Sequence, residues 1–292
     1  MDDAEFARAE HLLDLHRPAE AERLARTALG RDPDSAAAME VLAEALRHQD
    51  RNEEAAEVAR AGLGQHPTSG PLLLRLIDSL VELTGGESVG GGTPRKRGAP
   101  LVQEARDAAD RLVQLEPNLW VSHYAHARAL LAGDRPRVRD ALASAQRAVW
   151  VAPHSADAHN LVGVCLDSLT RHDAARVAYE EALRLDPQHA QAMNNLATLD
   201  VGFFRLRKAA RGFRDAAALA PGEGMPQQNL RMLTMRLAIR ILVVMLVGAG
   251  VLAITLVTGT PWWGRALLGA CLLAGTAWLV RDSRISCREG WR

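Results

Sequence analysis

Apolar and small residues recur three to four positions apart along most of the chain, as in Met39, Leu42, Ala43 and Leu46, and again in Met193, Leu196 and Ala197. That spacing gathers them on one face of an α-helix. The helical stretches come in twos, and the second of each two stops at a proline, as in AERLARTALGRDP, ARDAADRLVQLEP, ARVAYEEALRLDP and ARGFRDAAALAP. Proline has no amide donor and turns the preceding residue away from the helical region, so the stretch ends there. The prolines are Pro33, Pro67, Pro117, Pro153, Pro187 and Pro221, at intervals of 34, 50, 36, 34 and 34 residues. Twelve positions before them stand Ala21, Ala55, Ala105, Ala141, Ala175 and Ala209, small enough for two helix backbones to approach closely.

A repeat of about 34 residues marks a solenoid, in which no helix pair buries its own apolar face and neighbours supply one continuous core. Six pairs are countable. ADAHNLVGVCLDSLTRHDAARVAYEEALRLDP and AQAMNNLATLDVGFFRLRKAARGFRDAAALAP carry Gly163 or Ala197 at the first-helix crossing and Ala175 or Ala209 at the second. In these residues the chain resembles the tetratricopeptide repeat (TPR) family over roughly residues 2–222. The tryptophan that the family places in the first helix is replaced by Glu5, Met39, Leu73, His123, His159 and Met193, which predicts different packing there. The expected fold class is an all-α, TPR-type α-solenoid of about six helix pairs, followed by a two-helix transmembrane hairpin. Its solenoid occupies residues 1–222, with a glycine-rich flexible insertion at 84–99 inside the third pair. A capping, juxtamembrane helix is expected at 223–240.

The hairpin rests on hydropathy. Ile241 to Thr258 is an 18-residue run without a charge, close to the hydrocarbon thickness as a helix of about 27 Å. A second apolar stretch covers 262–280 and reaches that length only if Trp262 to Arg265 sit at the interface. The alternative for 241–280 is a buried helical hairpin. Arg231, Arg236 and Arg240 precede the first span, Arg281, Arg284, Arg288 and Arg292 follow the second, and the turn between holds Arg265. This asymmetry places the N-terminal domain and the basic tail at 281–292 on the cytoplasmic side of a cell (inner/plasma) membrane, in a multi-pass arrangement.

Composition sharpens the picture in two places. The 292 residues hold 35 basic and 35 acidic side chains, but the balance is a gradient: 18 acidic against 9 basic in residues 1–90, and 2 against 8 in residues 231–292. Cys165, Cys271 and Cys287 are too few and too scattered for a disulfide framework or a four-ligand zinc site, which points to a reducing compartment.

No catalytic motif is present: there is no HExxH, GxSxG or phosphate loop, so no enzyme activity, cofactor or catalytic residue is expected. His123 and His126 lie three apart with His159 one repeat on, but without a matching carboxylate or cysteine they read as packing histidines rather than a metal site. The basic clusters at Arg95–Arg97 and Arg135–Arg139 lack interleaved aromatic rings, so no nucleic acid is expected.

The resemblance implies that first helices line a concave surface for peptides or partner helices. On this chain it implies Glu40, Glu44, Arg75 and Asp78 toward the front, Tyr124 and Arg128 in the middle, and Asn160, Asn194, Asn195 and Thr198 toward the end. Glutamates at 40 and 44 stand where a carboxylate clamp would need positive charge, so a basic or amphipathic protein segment is the expected partner. The function expected is a membrane-anchored scaffold or adaptor whose other partner is the lipid bilayer. The alternative is an assembly or regulatory subunit of a membrane enzyme or transport complex that docks through the hairpin. The oligomeric state stays open.

Overall fold

The computed structural model describes residues 1–84, 98–202, 205–220 and 226–235, together with positions 238, 242, 245, 246 and 249. Among these residues every regular element is helical. The chain divides into two compact units, Met1–Ala175 and Arg176–Arg292.

The first unit contains α1 (Asp3–Asp14), α2 (Pro18–Arg31), α3 (Ala36–Arg47), α4 (Asn52–Gln65), α5 (Gly70–Leu83), α6 (Gly98–Leu115), α7 (Trp120–Leu131), α8 (Val138–Val151) and α9 (Ala156–Ser168). The boundary between the units falls within α10 (His172–Leu185). The second unit holds the rest of α10, α11 (Ala190–Gly202), α12 (Leu206–Leu219) and the helical segment 226–235, here α13.

The helix ends fall where proline puts them. α2, α4 and α8 stop two residues short of Pro33, Pro67 and Pro153, and the intervening Asp32, His66 and Ala152 adopt φ values of −140°, −123° and −130°. The next helix starts on a side-chain cap: Ser35, Ser69 and Ser155 accept from the amides of Ala38, Leu72 and Ala158. At α11 an imidazole takes that role, His189 Nδ1 accepting from the Ala192 amide at 3.2 Å.

The turn inside a pair is also repeated. His16, Asp50 and Thr170 have φ of 55°, 59° and 58°, a left-handed residue that closes α1, α3 and α9. Each is followed by an arginine whose amide returns to the helix: Arg17 to Leu12, Arg51 to Leu46 and Arg171 to Leu166. The side chains of Arg17, Arg51 and Arg137 then pair with the acid three residues on, Glu20, Glu54 and Asp140.

The six alanines at the crossings are all fully buried. Around them Leu73, Leu76, Ile77, Leu80 and Leu112 form one core cluster, and Val41, Leu42 and Leu46 another. In the first unit α1 packs on α3, α3 on α5, α5 on α7 and α7 on α9. The first helices therefore lie side by side as one layer.

Where the tryptophan of the resemblance is missing, His123 and His159 each bond the carbonyl of the proline six residues back, Pro117 at 2.8 Å and Pro153 at 3.0 Å. Imidazole thus replaces an apolar ring by tying the helix start to its own turn. Of the insertion expected at 84–99, Gly98 and Ala99 already belong to α6, because α6 begins at Gly98. Residues 85–97 lie outside the described residues. So do the expected spans, apart from Leu242, Met245, Leu246 and Ala249, and all of the tail at 281–292. Among the described residues no helix is long and apolar enough to cross a membrane.

Candidate functional site: a charged ladder on the first helices

Three helices of the first unit carry one connected set of ion pairs. Glu40 and Glu44 stand on α3, Arg75, Asp78 and Glu82 on α5, and Tyr124 and Arg128 on α7. Arg75 reaches Glu44 at 2.9 Å and Glu40 at 3.7 Å. Arg128 reaches Asp78 at 2.5 Å and Glu82 at 3.2 Å. Arg75 and Asp78, 3.8 Å apart on one helix turn, join the two halves. Arg47 and His48 add contacts to Glu44 at 2.7 Å and 3.1 Å.

The repeat explains the alignment. Glu44, Asp78 and Arg128 hold the same rank in successive repeats, 34 and 50 residues apart, so Arg128 meets Asp78 across adjacent first helices while Arg75 bridges Glu44 and Asp78. Aromatic packing supports the far end, where Arg128 lies over the Tyr124 ring at 5.8 Å and Trp120 meets the same ring edge-on at 5.6 Å.

Electrostatics separate the two glutamates of α3. Burial would push both carboxyls up. For Glu44, hydrogen bonds from His48 and Arg47 and the charge of Arg75 more than reverse that, holding it far below the usual carboxylate range. For Glu40, burial prevails over Arg75, and the nearby Glu10 and Glu44 push it further up.

The front of this face is therefore a compensated network rather than an open acidic surface. Four carboxylates meet three guanidiniums, and Glu82, with its side chain 43% exposed, is the acid most available to a partner. The expectation of a basic partner loses its footing on Glu44, whose charge is already spent on Arg47 and Arg75. What the face offers is a set of fixed donors and acceptors, held by buried partners and suited to a polar chain of mixed charge.

The remaining predicted positions separate. Asn160 in the first unit is only 2% exposed, which removes it from the accessible surface. In the second unit Asn194 is 8% exposed and accepts from Asn229 of α13 at 3.0 Å, so α13 occupies it. Thr198 is exposed and bonds back to the Asn194 carbonyl, and Asn195 is half-buried. Burial thus withdraws Asn160 and Asn194 from the surface.

Sequence reasoning missed Arg47, His48, Glu82 and Trp120. For His48 and Glu82 the signal was present, since each lies one helical turn beyond Glu44 and Asp78. Of the histidines, His126 contacts Asp110 at 2.9 Å and Ser144 at 2.9 Å. Among the described residues no group of His, Cys, Asp and Glu could hold a metal ion. Cys165 is a buried core thiol.

The sequence profile described as "Tetratricopeptide repeat" matches residues 6–70, 124–190 and 168–199. Residues 6–70 and 124–199 thus carry tetratricopeptide repeats. Among solved structures, the hetero-tetramer Cut9–Hcn1 of the APC/C superimposes with a TM-score of 0.62 at 15% identity, over 78% of this chain and 42% of that one. The chain thus spans about two fifths of that relative's length, and the likeness establishes the fold alone. YrrB, titled a TPR protein with an unusual peptide-binding site, gives a TM-score of 0.41 at 17% identity, covering 70% and 96% of the two chains. A thermophilic TPR protein of Thermus thermophilus, TTC0263, gives 0.43 at 18% identity, covering 80% and 98%. Those two superpose too loosely to argue from. No curated protein matches the chain.

Proposed function

We propose that the protein is a membrane-tethered interaction scaffold that holds a protein segment of mixed charge against the first-helix layer of its N-terminal repeats. One observation carries this reading: the ion-pair ladder from Glu40 to Glu82 fixes guanidinium and carboxylate groups on three adjacent helices. Repeat proteins use the concave side of such stacked layers as an extended binding surface. No reaction is assigned to the chain.

The tether rests on the uncharged run from Ile241 to Thr258 and on the arginines flanking 241–280. It places the repeats and the 281–292 tail on the cytoplasmic side, as a multi-pass protein of the cell membrane. Confinement there raises the effective concentration of a partner without any new contact.

Proximity labelling from the N-terminus in intact cells tests the scaffold. Arg128→Ala removes the bridge to Asp78 and Glu82, and a neighbour lost from the labelled set while the variant keeps its helical circular dichroism supports groove binding. An unchanged set overturns it. Replacing 241–280 by an unrelated two-span anchor separates the roles: a scaffold keeps its partners, whereas a subunit that docks through the hairpin loses them. Extraction into alkaline carbonate would sink the tether.

A further inference from the structure

Several arginines of the second helices are held by a neighbour. Arg26 pairs with Glu22, Arg60 with Glu104 and Arg184 with Glu181, Arg106 and Arg111 donate to backbone carbonyls, and Arg147 lies over the Trp150 ring. α12 gathers three arginines without an acid on one face. Its sequence, LRKAARGFRDAAAL, has four basic residues against Asp215 alone. Lys208 is 3.7 Å from the buried Asp200. Arg207, Arg211 and Arg214 remain; all three are exposed, and among the described residues none makes an ion pair. They stand at i, i+4 and i+7, one helical face about 10 Å long. With Ala210 they line a shallow depression of about 410 Å³. The opposite face of α12 is used up by packing, Ala209, Phe213 and Ala216 being buried.

The next helix supplies the second half of the observation. Leu233 of α13 is buried against Ala197, Ala209 and Phe213, with Leu230 packed alongside. Its other side carries Met232 and Met235, and the chain continues to Leu242, Met245 and Leu246, all exposed at 45% to 67%. A cationic helix face is therefore followed along the chain by exposed methionines and leucines, of which Leu242, Met245 and Leu246 already belong to the uncharged 18-residue run.

We propose that the Arg207, Arg211 and Arg214 face of α12 binds the phosphate groups of an anionic lipid surface, so that the last repeat rests on the bilayer. The inference deepens the tethered reading above and rests on it. Charge complementarity selects an anionic partner, and about fivefold in affinity is expected for each arginine that reaches the surface. The phosphates of a nucleic acid carry the same charge, but α12 exposes no ring for a base to stack on, since Phe213 is buried, whereas the exposed methionines and leucines need an apolar surround.

The test uses the full chain in nanodiscs of neutral phosphatidylcholine and in discs containing one third phosphatidylglycerol, with phenylglyoxal modification of each arginine read by mass spectrometry. Modification of Arg207, Arg211 and Arg214 is expected to slow about fivefold or more in the anionic discs and to recover at high salt, with Arg26 and Arg184 unchanged. The triple variant Arg207→Gln/Arg211→Gln/Arg214→Gln is expected to lose the preference for anionic over neutral discs while keeping its helix content. Equal rates in both discs, with the chain inserted in both, overturn the lipid contact but leave the tether standing. Failure to insert in either, with protection by anionic vesicles retained, overturns the tether and upholds the contact. Protection by single-stranded RNA equal to that by anionic lipid overturns the assignment to lipid.

Discussion

Arg176 of α10 donates to Asp200 of α11 at 2.7 Å, and Asp200, 1% exposed, stands where the corresponding helices have Leu12, Leu46, Leu80, Leu130 and Leu166. The backbone keeps the pattern of the other pairs, Arg205 N–H bonding the Asp200 carbonyl at 2.7 Å. A carboxylate has thus replaced a core leucine, with Arg176 supplying the countercharge and Lys208 adding to it at 3.7 Å.

Removing one member leaves a charge in a poor solvent. Asp200→Leu is expected to cost about 2–3 kcal/mol, because Arg176 loses its partner, although it can turn partly toward water. The double variant Asp200→Leu/Arg176→Met restores the leucine of the other repeats and should lie within about 1 kcal/mol of the parent. Denaturant titration of the four proteins of the cycle measures this. Additive losses would mean that the pair is not coupled.

Arg106 closes the irregular turn after α7. Its guanidinium donates to the carbonyls of Ala129, Leu130, Ala132 and Arg135, at 3.2 to 3.4 Å, satisfying a helix end that has two residues more than its counterparts. Arg106→Ala should cost about 1.5–3 kcal/mol, the range for hydrogen bonds to a charged group. Arg106→Lys should recover little of it, since a single ammonium cannot reproduce the fork. Thermal melts of both variants report the difference.

Thr170 is a β-branched residue at φ 58°. The left-handed region costs an L-residue about 1–2 kcal/mol, and glycine avoids that cost while losing about 0.5–1 kcal/mol of chain entropy on folding. Thr170→Gly should therefore be more stable than the parent by some tenths of a kcal/mol, seen as a raised denaturation midpoint at unchanged slope.

Acid stability follows from Glu44. Its carboxyl is held below the ordinary value despite burial, because His48, Arg47 and Arg75 favour the charged form. The unfolded chain consequently binds the proton first, and the contribution is complete above the ordinary carboxylate pKa of about 4.3 and lost as pH falls toward the depressed folded value. Burial likewise depresses His126, against the pull of Asp110, so the fold resists its protonation. Glu44→Gln should flatten the decline of stability below about pH 4.3. Urea midpoints across that range provide the check, and an undiminished slope would contradict the assignment.

The candidate site was only partly legible. Glu40, Glu44, Arg75, Asp78 and Arg128 share a face because the repeat period puts them there, and their spacing could be read. Their pairing could not, since whether Arg75 turns to Glu44 or to solvent depends on how closely α3 and α5 approach. Asn160 and Asn194 look alike in the sequence as polar first-helix residues, yet both are buried, and α13 covers Asn194 through Asn229. Periodicity reports which face a residue lies on, not which neighbour has taken it.

The helices and their ends were set by the sequence alone: the 34-residue period, the alanine at each crossing and the proline after each pair act through local sterics and missing donors, which need no distant contact. Tertiary packing decided what happens between helices. Only the assembled layers could show Asp200 accommodated in a leucine site, Arg106 reaching across to cap α7, and the charges of the first helices neutralising one another, because each depends on groups 23 to 50 residues apart meeting at contact distance.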